Sequence, residues 1–343
     1  MIVAFGNPLL DTIVTVKDTT LIQKYDLPID GQKEVPLYLL KQLLQDVQDM
    51  ETTCAAGGCA QNTLRVFQWF TGKVHEAFII GSVGNDEKGS LVKSLMEADG
   101  VKTEYIVQNI PTGATVCLVD GSRRSLVANV GAAECFKVEQ IRRTNIRSIM
   151  YDADLAYIEG FFLTNREEAA RYVLDCCNTL KLMVAFNISG VYVCDMVPDT
   201  LQYFVEHCDI IFGNKREFEA VAKLMKFSTV KELIQKILKN NTYKLKKVHG
   251  NIVVITDGAN PGQCHHGEGE YFEFHVMDVE QDKFKDSIGA GDAFVGGFLA
   301  GLLEKKPLDW CATLGCYTAN EIIRQTGCTL PKRPPVFDLN DIH

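Results

Sequence analysis

Residues 286–298 read Asp-Ser-Ile-Gly-Ala-Gly-Asp-Ala-Phe-Val-Gly-Gly-Phe, and this stretch decides how the chain is interpreted. Its Gly289-Ala290-Gly291 turn lets the backbone approach a ligand closely, and the apolar run that follows predicts a buried helix. Free N–H groups at the start of such a helix favour an anion. Asp292 lies in the first turn, where it can take a proton from an attacking hydroxyl. The stretch predicts a phosphoryl-transfer site, with a glycine loop and a capping aspartate as the simpler alternative.

The composition is that of an ordinary globular protein of 343 residues with a formal net charge of −9. That length favours one large domain and one smaller one. The negative charge argues against a nucleic-acid partner, and no apolar run is long enough to span a membrane. We therefore expect a cytoplasmic protein, with the nucleus left open as a second compartment. A monomer is the default expectation.

The cysteine pattern predicts free thiols. Twelve cysteines are scattered along the chain without a C-x-x-C pair. The apolar start at residues 1–5 lacks the basic flank of a signal peptide and predicts a first buried strand instead. Without an export signal, cysteines pack as small hydrophobic residues rather than as disulfides or zinc ligands.

Buried strands alternate with helices along most of the chain. The predicted strands cover residues 2–5, 77–83, 155–158, 183–187, 210–212 and 252–256. The predicted helices cover residues 60–70, 87–98, 167–180, 217–225, 230–239, 290–303 and 308–325. Apolar strands that are each followed by a helix indicate a parallel sheet covered on both faces.

Two regions break this alternation. Residues 12–57 are threonine-rich and punctuated by glycine and proline, and residues 103–130 predict two or three short strands. Antiparallel strands do not join a parallel core easily, so both regions are assigned to a smaller lid domain. The large nucleotide-binding α/β core then comprises residues 1–11, 58–102 and 131–343. The polar stretch 239–251 is interpreted as a solvated loop.

Candidate ligand-contact residues, most of them polar, follow several of the predicted strands. They are Asn7, Asp11, Asn187, Asn214, Glu217, Thr256, Asp257 and Gly258. Open parallel sheets bind ligands beyond the carboxyl ends of their strands, so these residues are expected to converge on one crevice.

Each of these motifs has a simpler interpretation. Asp11 suits the two adjacent hydroxyls of a ribose, or forms a turn after a strand. The Gly57-Gly58 turn with Asn62 behind it suits close ligand approach, or is only a tight turn. Asn214 and Glu217 lie on one helix face that suits hydrated Mg²⁺, or they cap that helix. Arg124 can neutralise a transferring phosphate, or it is a surface arginine.

Together these motifs resemble those of the ribokinase-like sugar and nucleoside kinases. Residues 56–62 look like the N-terminal signature of that family, and residues 286–298 look like the second signature, with Ser287 in place of threonine. The likeness covers essentially the whole chain. Segments 7–11, 124–129, 160–164 and 326–329 resemble the family members that act on adenosine.

The resemblance implies a three-layer α/β/α core with a small α/β lid, and transfer of the γ-phosphoryl group of ATP to the 5′-hydroxyl of adenosine with Mg²⁺. The catalytic residues it implies are Asp292, Arg124, Gly289, Ala290 and Gly291. The substrate residues are Asn7, Leu9, Asp11, Gln32, Gly57, Gly58, Cys59, Asn62, Phe161 and Tyr192. The ATP residues are Asn214, Glu217, Thr256, Gly258 and Cys316, with Glu217 reaching Mg²⁺ through water.

Two residues depart from the family pattern. Cys59 stands where serine is common, and Ile288 stands where asparagine is usual; both are expected to tune activity rather than remove it. Two other functions remain open: a kinase of another nucleoside or furanose sugar, and an inactive adenosine-binding regulatory protein.

Overall fold

The computed structural model describes residues 1–29, 31–120, 123–239, 250–332 and 335, which form two β-sheets with helices packed against them. The strands are β1 (Ile2–Phe5), β2 (Leu9–Thr15), β3 (Gly31–Glu34), β4 (Thr52–Gly57), β5 (Ala77–Gly84), β6 (Lys102–Gln108), β7 (Thr112–Asp120), β8 (Arg123–Gly131), β9 (Leu155–Glu159), β10 (Met183–Asn187), β11 (Ile210–Asn214), β12 (Ile252–Asp257), β13 (Asn260–His266) and β14 (Glu270–Phe274). The helices are α1 (Thr20–Lys24), α2 (Leu37–Asp46), α3 (Cys59–Thr71), α4 (Glu87–Ala98), α5 (Val138–Ile141), α6 (Thr144–Asp152), α7 (Glu167–Thr179), α8 (Val193–Met196), α9 (Pro198–His207), α10 (Lys215–Leu224), α11 (Val230–Lys239), α12 (Ala290–Leu303) and α13 (Leu308–Ile322).

The larger sheet has nine strands in the order β14-β13-β12-β11-β10-β9-β1-β5-β6. Strands β12 through β6 run parallel, and the hairpin β13–β14 adds two antiparallel strands at one edge. The register aligns the strand ends, because Asn187 pairs with Glu159 and Asn214 pairs with Thr256. Polar residues therefore meet at the carboxyl edge of the sheet, as the sequence predicted.

Both faces of the larger sheet are buried under helices. Within β1, Val3 and Phe5 pack in the cluster formed with α5 to α11, and Ile2 and Ala4 pack in the cluster formed with α3, α4, α12 and α13. Because successive strand residues point to opposite faces, a strand covered on both sides must be apolar throughout. This three-layer arrangement confirms the predicted fold class.

The smaller sheet has five strands in the order β3-β8-β7-β2-β4. One face is covered by α1 and α2, whose Ile22, Leu40 and Leu43 pack against Val116 and Leu118 of β7. The other face turns towards the larger sheet, where Ile288 packs on Ile13, Cys117 and Val119. The smaller sheet thus has its own apolar core and one face that contacts the rest of the molecule.

The structure differs from the sequence prediction in several places. Strand β6 pairs with β5 in the larger sheet, although residues 103–130 were assigned to the lid, because its register with Phe78–Gly84 continues the parallel sheet. Asp11 lies inside β2 rather than in a loop after β1. The lid helices α1 and α2 and the hairpin β13–β14 were not predicted. Most of the predicted loop at 239–251 lies outside the described residues, and the domain boundaries remain a prediction.

Two expectations from composition can be compared with the structure. Within the described part of the chain, no helix is long and apolar enough to cross a membrane. The twelve cysteines all lie in described segments and are free thiols, most of them buried.

Replacing Leu43 by alanine is expected to destabilise the smaller sheet. Its side chain is fully buried under β7 and β8, so truncation leaves a cavity and costs about 2–5 kcal/mol of unfolding free energy. Tyr38 is on the same helix but 65% exposed, and Tyr38→Ala should change stability by less than about 0.5 kcal/mol. Urea unfolding followed by circular dichroism compares the two variants, and equal losses would contradict the proposed packing.

Candidate active site

A cavity of about 810 Å³ is lined by residues from both sheets. Residues of the smaller sheet in its wall include Gln32, Arg124 and Leu126, and residues at the strand ends of the larger sheet include Asn187 and Thr256. The structure brings most of the predicted site residues to this cavity: Asn7, Leu9, Asp11, Gln32, Gly58, Cys59, Asn62, Arg124, Phe161, Tyr192, Asn214, Glu217, Thr256, Gly289, Gly291 and Asp292.

Four predicted site residues do not line the cavity. Cys316 is buried in the apolar cluster between α13 and the larger sheet. Gly258 lies just past the end of β12. Gly57 ends β4, and a Cβ at this position would overlap the Asp11 carboxylate. Ala290 begins α12, and its amide donates to the Ser287 carbonyl at 3.3 Å, so this N–H is already used inside the turn.

Asp292 is 8% exposed and lies in the first turn of α12. Its Oδ2 accepts a hydrogen bond from Nδ2 of Asn62 at 3.0 Å, and the Cys59 thiol also donates to this carboxylate. Burial raises the pKa of Asp292 to about 6; the bonds from Asn62 and Cys59 lower it, the Asp11 charge raises it and Arg124 lowers it. The Asp292 carboxylate is therefore ionised at neutral pH, and its pKa is close to the value that suits a general base.

The turn before Asp292 is held in a conformation that favours glycine. Gly289 has φ 72°, in the left-handed region, and a Cβ there would contact the side chain of Cys328 at 2.6 Å. The buried Asp286 carboxylate accepts the amides of Ile288 and Gly327, each at 2.8 Å. These bonds fix the turn against the C-terminal segment and leave the amides of Gly291 and Asp292 at the open start of α12.

Asp11 reaches the same cavity from the smaller sheet. Its Oδ1 accepts a hydrogen bond from Thr115 Oγ1 at 2.6 Å on the neighbouring strand β7. Burial raises the pKa of Asp11, and the Thr115 bond and the Arg65 charge lower it. Asp11 is 9% exposed, so its remaining acceptor capacity is directed at the cavity rather than at bulk water.

Glu159 was missed by the sequence analysis although it ends strand β9. It is fully buried, and its two carboxylate oxygens accept the amides of Asn7 at 2.6 Å and Ala60 at 2.5 Å. Burial raises the pKa of Glu159 to about 7, against the effect of these two bonds. Glu159 therefore ties the end of β1 to the start of α3, and a charged residue closing a buried strand was the available signal.

Two aromatic rings form one wall of the cavity. Phe161 and Tyr192 are stacked at 5.4 Å between centroids with an interplanar angle of 13°. Beside them, Asn7 Nδ2 donates to the Phe161 carbonyl at 3.2 Å, and the buried Asn7 Oδ1 has no hydrogen-bond partner among the described residues. An apolar wall with one unused acceptor beside it suits a planar heterocycle that carries a donor.

Asn214 and Glu217 form a capping box at the start of α10. Asn214 Oδ1 accepts the Glu217 amide at 3.0 Å, and Glu217 Oε2 accepts the Asn214 amide at 2.8 Å. Burial raises the pKa of Glu217 to about 7, the Asn214 bonds lower it, and the Asp292 charge raises it. The simpler interpretation of this motif is thus correct as local structure, and both residues also line the cavity.

The donor set fits a hydrated divalent cation better than a fully protein-bound one. No group of three or more His, Cys, Asp or Glu side chains with metal-site geometry occurs in the part of the chain that the structure describes. Glu217 nevertheless lies near Asp292 and has no ion-pair partner among the described residues. Oxygen ligands of this kind suit Mg²⁺, which keeps most of its waters.

The smaller sheet contacts the glycine turn through two residues. Arg124 Nη1 donates to Ser287 Oγ at 2.6 Å. The neighbouring Ile288 inserts its side chain among Ile13, Cys117 and Val119. The apolar departure at position 288 therefore has a structural role, because an asparagine there would place a polar group against this apolar face.

Comparisons with known proteins agree with this geometry. Residues 27–334 match the model of the pfkB family of carbohydrate kinases. The chain is 31% identical to adenosine kinase 2 of Arabidopsis thaliana over 342 residues, covering 97% of this chain and 96% of that protein. It is 33% identical to adenosine kinase of Anopheles gambiae in complex with P1,P4-di(adenosine-5) tetraphosphate, with a TM-score of 0.88 over 98% of this chain and 99% of that chain. Adenosine kinase of Schistosoma mansoni in complex with 2-fluoroadenosine is 27% identical, with a TM-score of 0.87 over 96% of this chain and 97% of that chain.

The fold and these matches define a phosphotransferase with a ribokinase-like architecture. The chain belongs to the pfkB family of carbohydrate kinases. The family and fold class predicted from the sequence are thereby confirmed.

Gly58 provides a test of the substrate-side turn. It has φ 97°, and a Cβ at this position would overlap the Asn7 carbonyl oxygen. We expect Gly58→Ala to cost about 3 kcal/mol or more of unfolding free energy, from backbone strain and overpacking together. Gly72 also has a positive φ, 60°, but nothing within 4 Å of a Cβ, so Gly72→Ala should cost about 1 kcal/mol. Denaturant unfolding of both variants measures the difference, and similar costs would contradict the close approach.

Proposed function

We propose that this protein transfers the γ-phosphoryl group of ATP to the 5′-hydroxyl of adenosine, giving AMP and ADP. One observation carries the proposal: a buried ionised aspartate at a helix N-terminus shares a single cavity with a second carboxylate and a stacked aromatic pair. Support for adenosine comes from the similar proteins, which include adenosine kinases from an insect, a plant and a flatworm. Both walls of the cavity come from one chain, which supports a monomer as the active species.

Asp11 and Asn62 would hold the sugar. A carboxylate with free acceptor positions can take hydrogen bonds from two adjacent ribose hydroxyls at once. Asp11 is fixed by Thr115 on one side, so its orientation does not have to be established on binding. The Gly58 turn permits the close backbone approach that a sugar ring needs, and the base would pack against Phe161 and Tyr192.

Asp292 would act as the general base. Its carboxylate takes the proton of the 5′-hydroxyl as the oxygen attacks the phosphorus atom in line. The Asn62 amide holds the carboxylate at 3.0 Å, so its orientation is set before the substrate arrives. Because burial brings its pKa to about 6, Asp292 is a stronger base than an exposed aspartate while remaining ionised at neutral pH.

The start of α12 would stabilise the phosphoryl oxygens. The amides of Gly291 and Asp292 lie at the N-terminal end of a long helix, where the backbone favours negative charge. Arg124 lies beside them through its bond to Ser287 and adds a positive charge from the smaller sheet. Closer packing of the two sheets around bound substrates would exclude water that would otherwise hydrolyse ATP.

Asn214, Glu217 and Thr256 would serve the ATP side of the cavity. Glu217 would hold Mg²⁺ through its water ligands, and the bound cation would neutralise charge on the phosphate oxygens. The capping box fixes the orientation of the Glu217 carboxylate towards the cavity.

A coupled ADP-release assay with MgATP tests the proposed function. Adenosine, inosine, ribose and a hexose are offered as acceptors, and AMP is identified chromatographically. We expect the highest kcat/KM with adenosine. A higher kcat/KM with inosine or ribose would replace the proposed substrate, and tight adenosine binding without AMP formation would identify an inactive binding protein.

Asp292→Asn removes the base and keeps the shape and the hydrogen bond with Asn62. We expect kcat to fall about a hundred- to ten-thousandfold with little change in adenosine affinity. Single-turnover kinetics and isothermal calorimetry separate the two quantities. A near-normal kcat in this variant would refute the assignment.

The pKa of Asp292 predicts the acid limb of the pH profile. Activity requires the ionised carboxylate, so kcat/KM should be constant above the pKa and fall about tenfold per pH unit below pH 6. Arg124→Gln should move this limb to higher pH, because the Arg124 charge lowers the pKa of Asp292.

Glu217→Gln is the control, because Glu217 titrates in a similar range, with a pKa of about 7. If Asp292 is the base, the Glu217 variant keeps an acid limb at or somewhat below pH 6, because removing the Glu217 charge lowers the pKa of Asp292, and its overall rate is lower. Loss of the limb in Glu217→Gln would assign it to Glu217 instead.

A further inference from the structure

Glu34 is a carboxylate in the cavity wall that neither the motifs nor the mechanism above uses. It lies on β3, the edge strand of the smaller sheet, and it lines the cavity together with Gln32. Lys33 between them also borders the cavity, but its Nζ is drawn away towards the segment after α1, where it donates to the Asp26 carbonyl at 2.8 Å. The alternation along β3 places the side chains of Gln32 and Glu34 on the same face of the sheet.

The Glu34 carboxylate is unused within the described structure. No described residue donates a hydrogen bond to it or forms an ion pair with it. Arg166 is the cation whose charge acts on Glu34, but its N–H groups are bonded to backbone carbonyls. Nε donates to Phe162 at 3.0 Å, Nη2 donates to Phe161 at 2.8 Å, and Nη1 donates to Ala133. Glu34 is exposed, so a ligand in the cavity would take its acceptor positions by displacing water.

Glu34 shares the cavity with the aromatic pair. Glu34 and Tyr192 both line it, and the Glu34 charge contributes, after burial, to the raised pKa of Tyr192. Tyr192 is stacked on Phe161, and Asn7 with its unpaired Oδ1 lies beside Phe161. A planar base packed against these rings would share the cavity with two acceptors that no described residue uses, Asn7 Oδ1 and the Glu34 carboxylate.

We infer that Glu34 is a specificity-determining residue whose carboxylate accepts a hydrogen bond from an exocyclic amino group on the bound base. The inference rests on the proposed function and extends it to the chemistry of the base. An ionised carboxylate is an acceptor only, so it pairs with an amino group and repels a keto oxygen at the same position. A site that hydrogen-bonds one substituent discriminates against the analogue that lacks it.

The test compares adenosine with inosine, in which a keto oxygen replaces the amino group. Glu34→Gln keeps the size of the side chain and adds an N–H donor that can face the keto oxygen. We expect the ratio of kcat/KM for adenosine to kcat/KM for inosine to fall about tenfold or more in this variant. Glu34→Ala should lower the ratio as well, mainly through weaker use of adenosine.

Glu134→Gln is the matched control. Glu134 also acts on Glu34 and Arg166 through its charge, but it bonds Asn165 at 3.1 Å and does not line the cavity. This variant removes the same charge without touching the base, so its substrate ratio should stay within about twofold of the unmodified protein.

Two results would overturn the inference. One is an unchanged substrate ratio in both Glu34 variants, with folding verified by circular dichroism. The other is an equal change in Glu134→Gln, which would assign the effect to long-range charge. Absence of adenosine phosphorylation in the unmodified protein would instead refute the proposed function, so the two failures are distinguishable.

Discussion

The hydrogen bond between Asn62 and Asp292 joins residues that are 230 positions apart in the chain, and the arrangement of the cavity depends on it. It forms because α3 and α12 lie side by side on one face of the larger sheet, where Gly296 of α12 packs directly on the Thr63 carbonyl and Val66 of α3. A larger side chain at position 296 would separate the two helices. The close approach brings the N-termini of two helices to the same cavity, where α3 is proposed to serve the substrate and α12 the phosphate.

The same region concentrates negative charge. Asp11, Glu159, Glu217 and Asp292 all line one cavity, and the Asp292 charge raises the pKa of both Glu159 and Glu217. Such mutual repulsion costs stability, which proteins tolerate at functional sites. Backbone amides carry much of the compensation, because Glu159 and Glu217 each accept main-chain N–H groups. With a net charge of −9, the protein must attract an anionic co-substrate through local donors rather than through its overall field.

The smaller sheet forms one wall of the cavity and contributes charged side chains to it. It supplies Asp11 and Arg124 to the cavity, and its apolar face receives Ile288 from the turn that precedes Asp292. The sheet and the turn are therefore packed together. Movement of one relative to the other would displace the start of α12 and expose apolar surface at once, so under the proposed mechanism closure of the cavity would be coupled to assembly of the catalytic groups.

The sequence by itself determined the α/β alternation, the family and sixteen of the residues that line the cavity. Helices Glu87–Ala98 and Ala290–Leu303 were predicted with the bounds that the structure has, because the capping Asp86 of the first and the glycine turn and apolar run of the second are local features. The glycine-rich motifs were recognisable for the same reason.

Only the tertiary structure decided the placement of Asp11 in a strand of the smaller sheet, the membership of β6 in the larger sheet, the position of Glu34 in the cavity wall and the contacts of Glu159. Each of these depends on partners distant in the chain: Asp11 on Thr115, and Glu159 on Asn7, 152 residues away. Strand pairing and charge burial arise from packing between segments, which no local pattern of residues encodes.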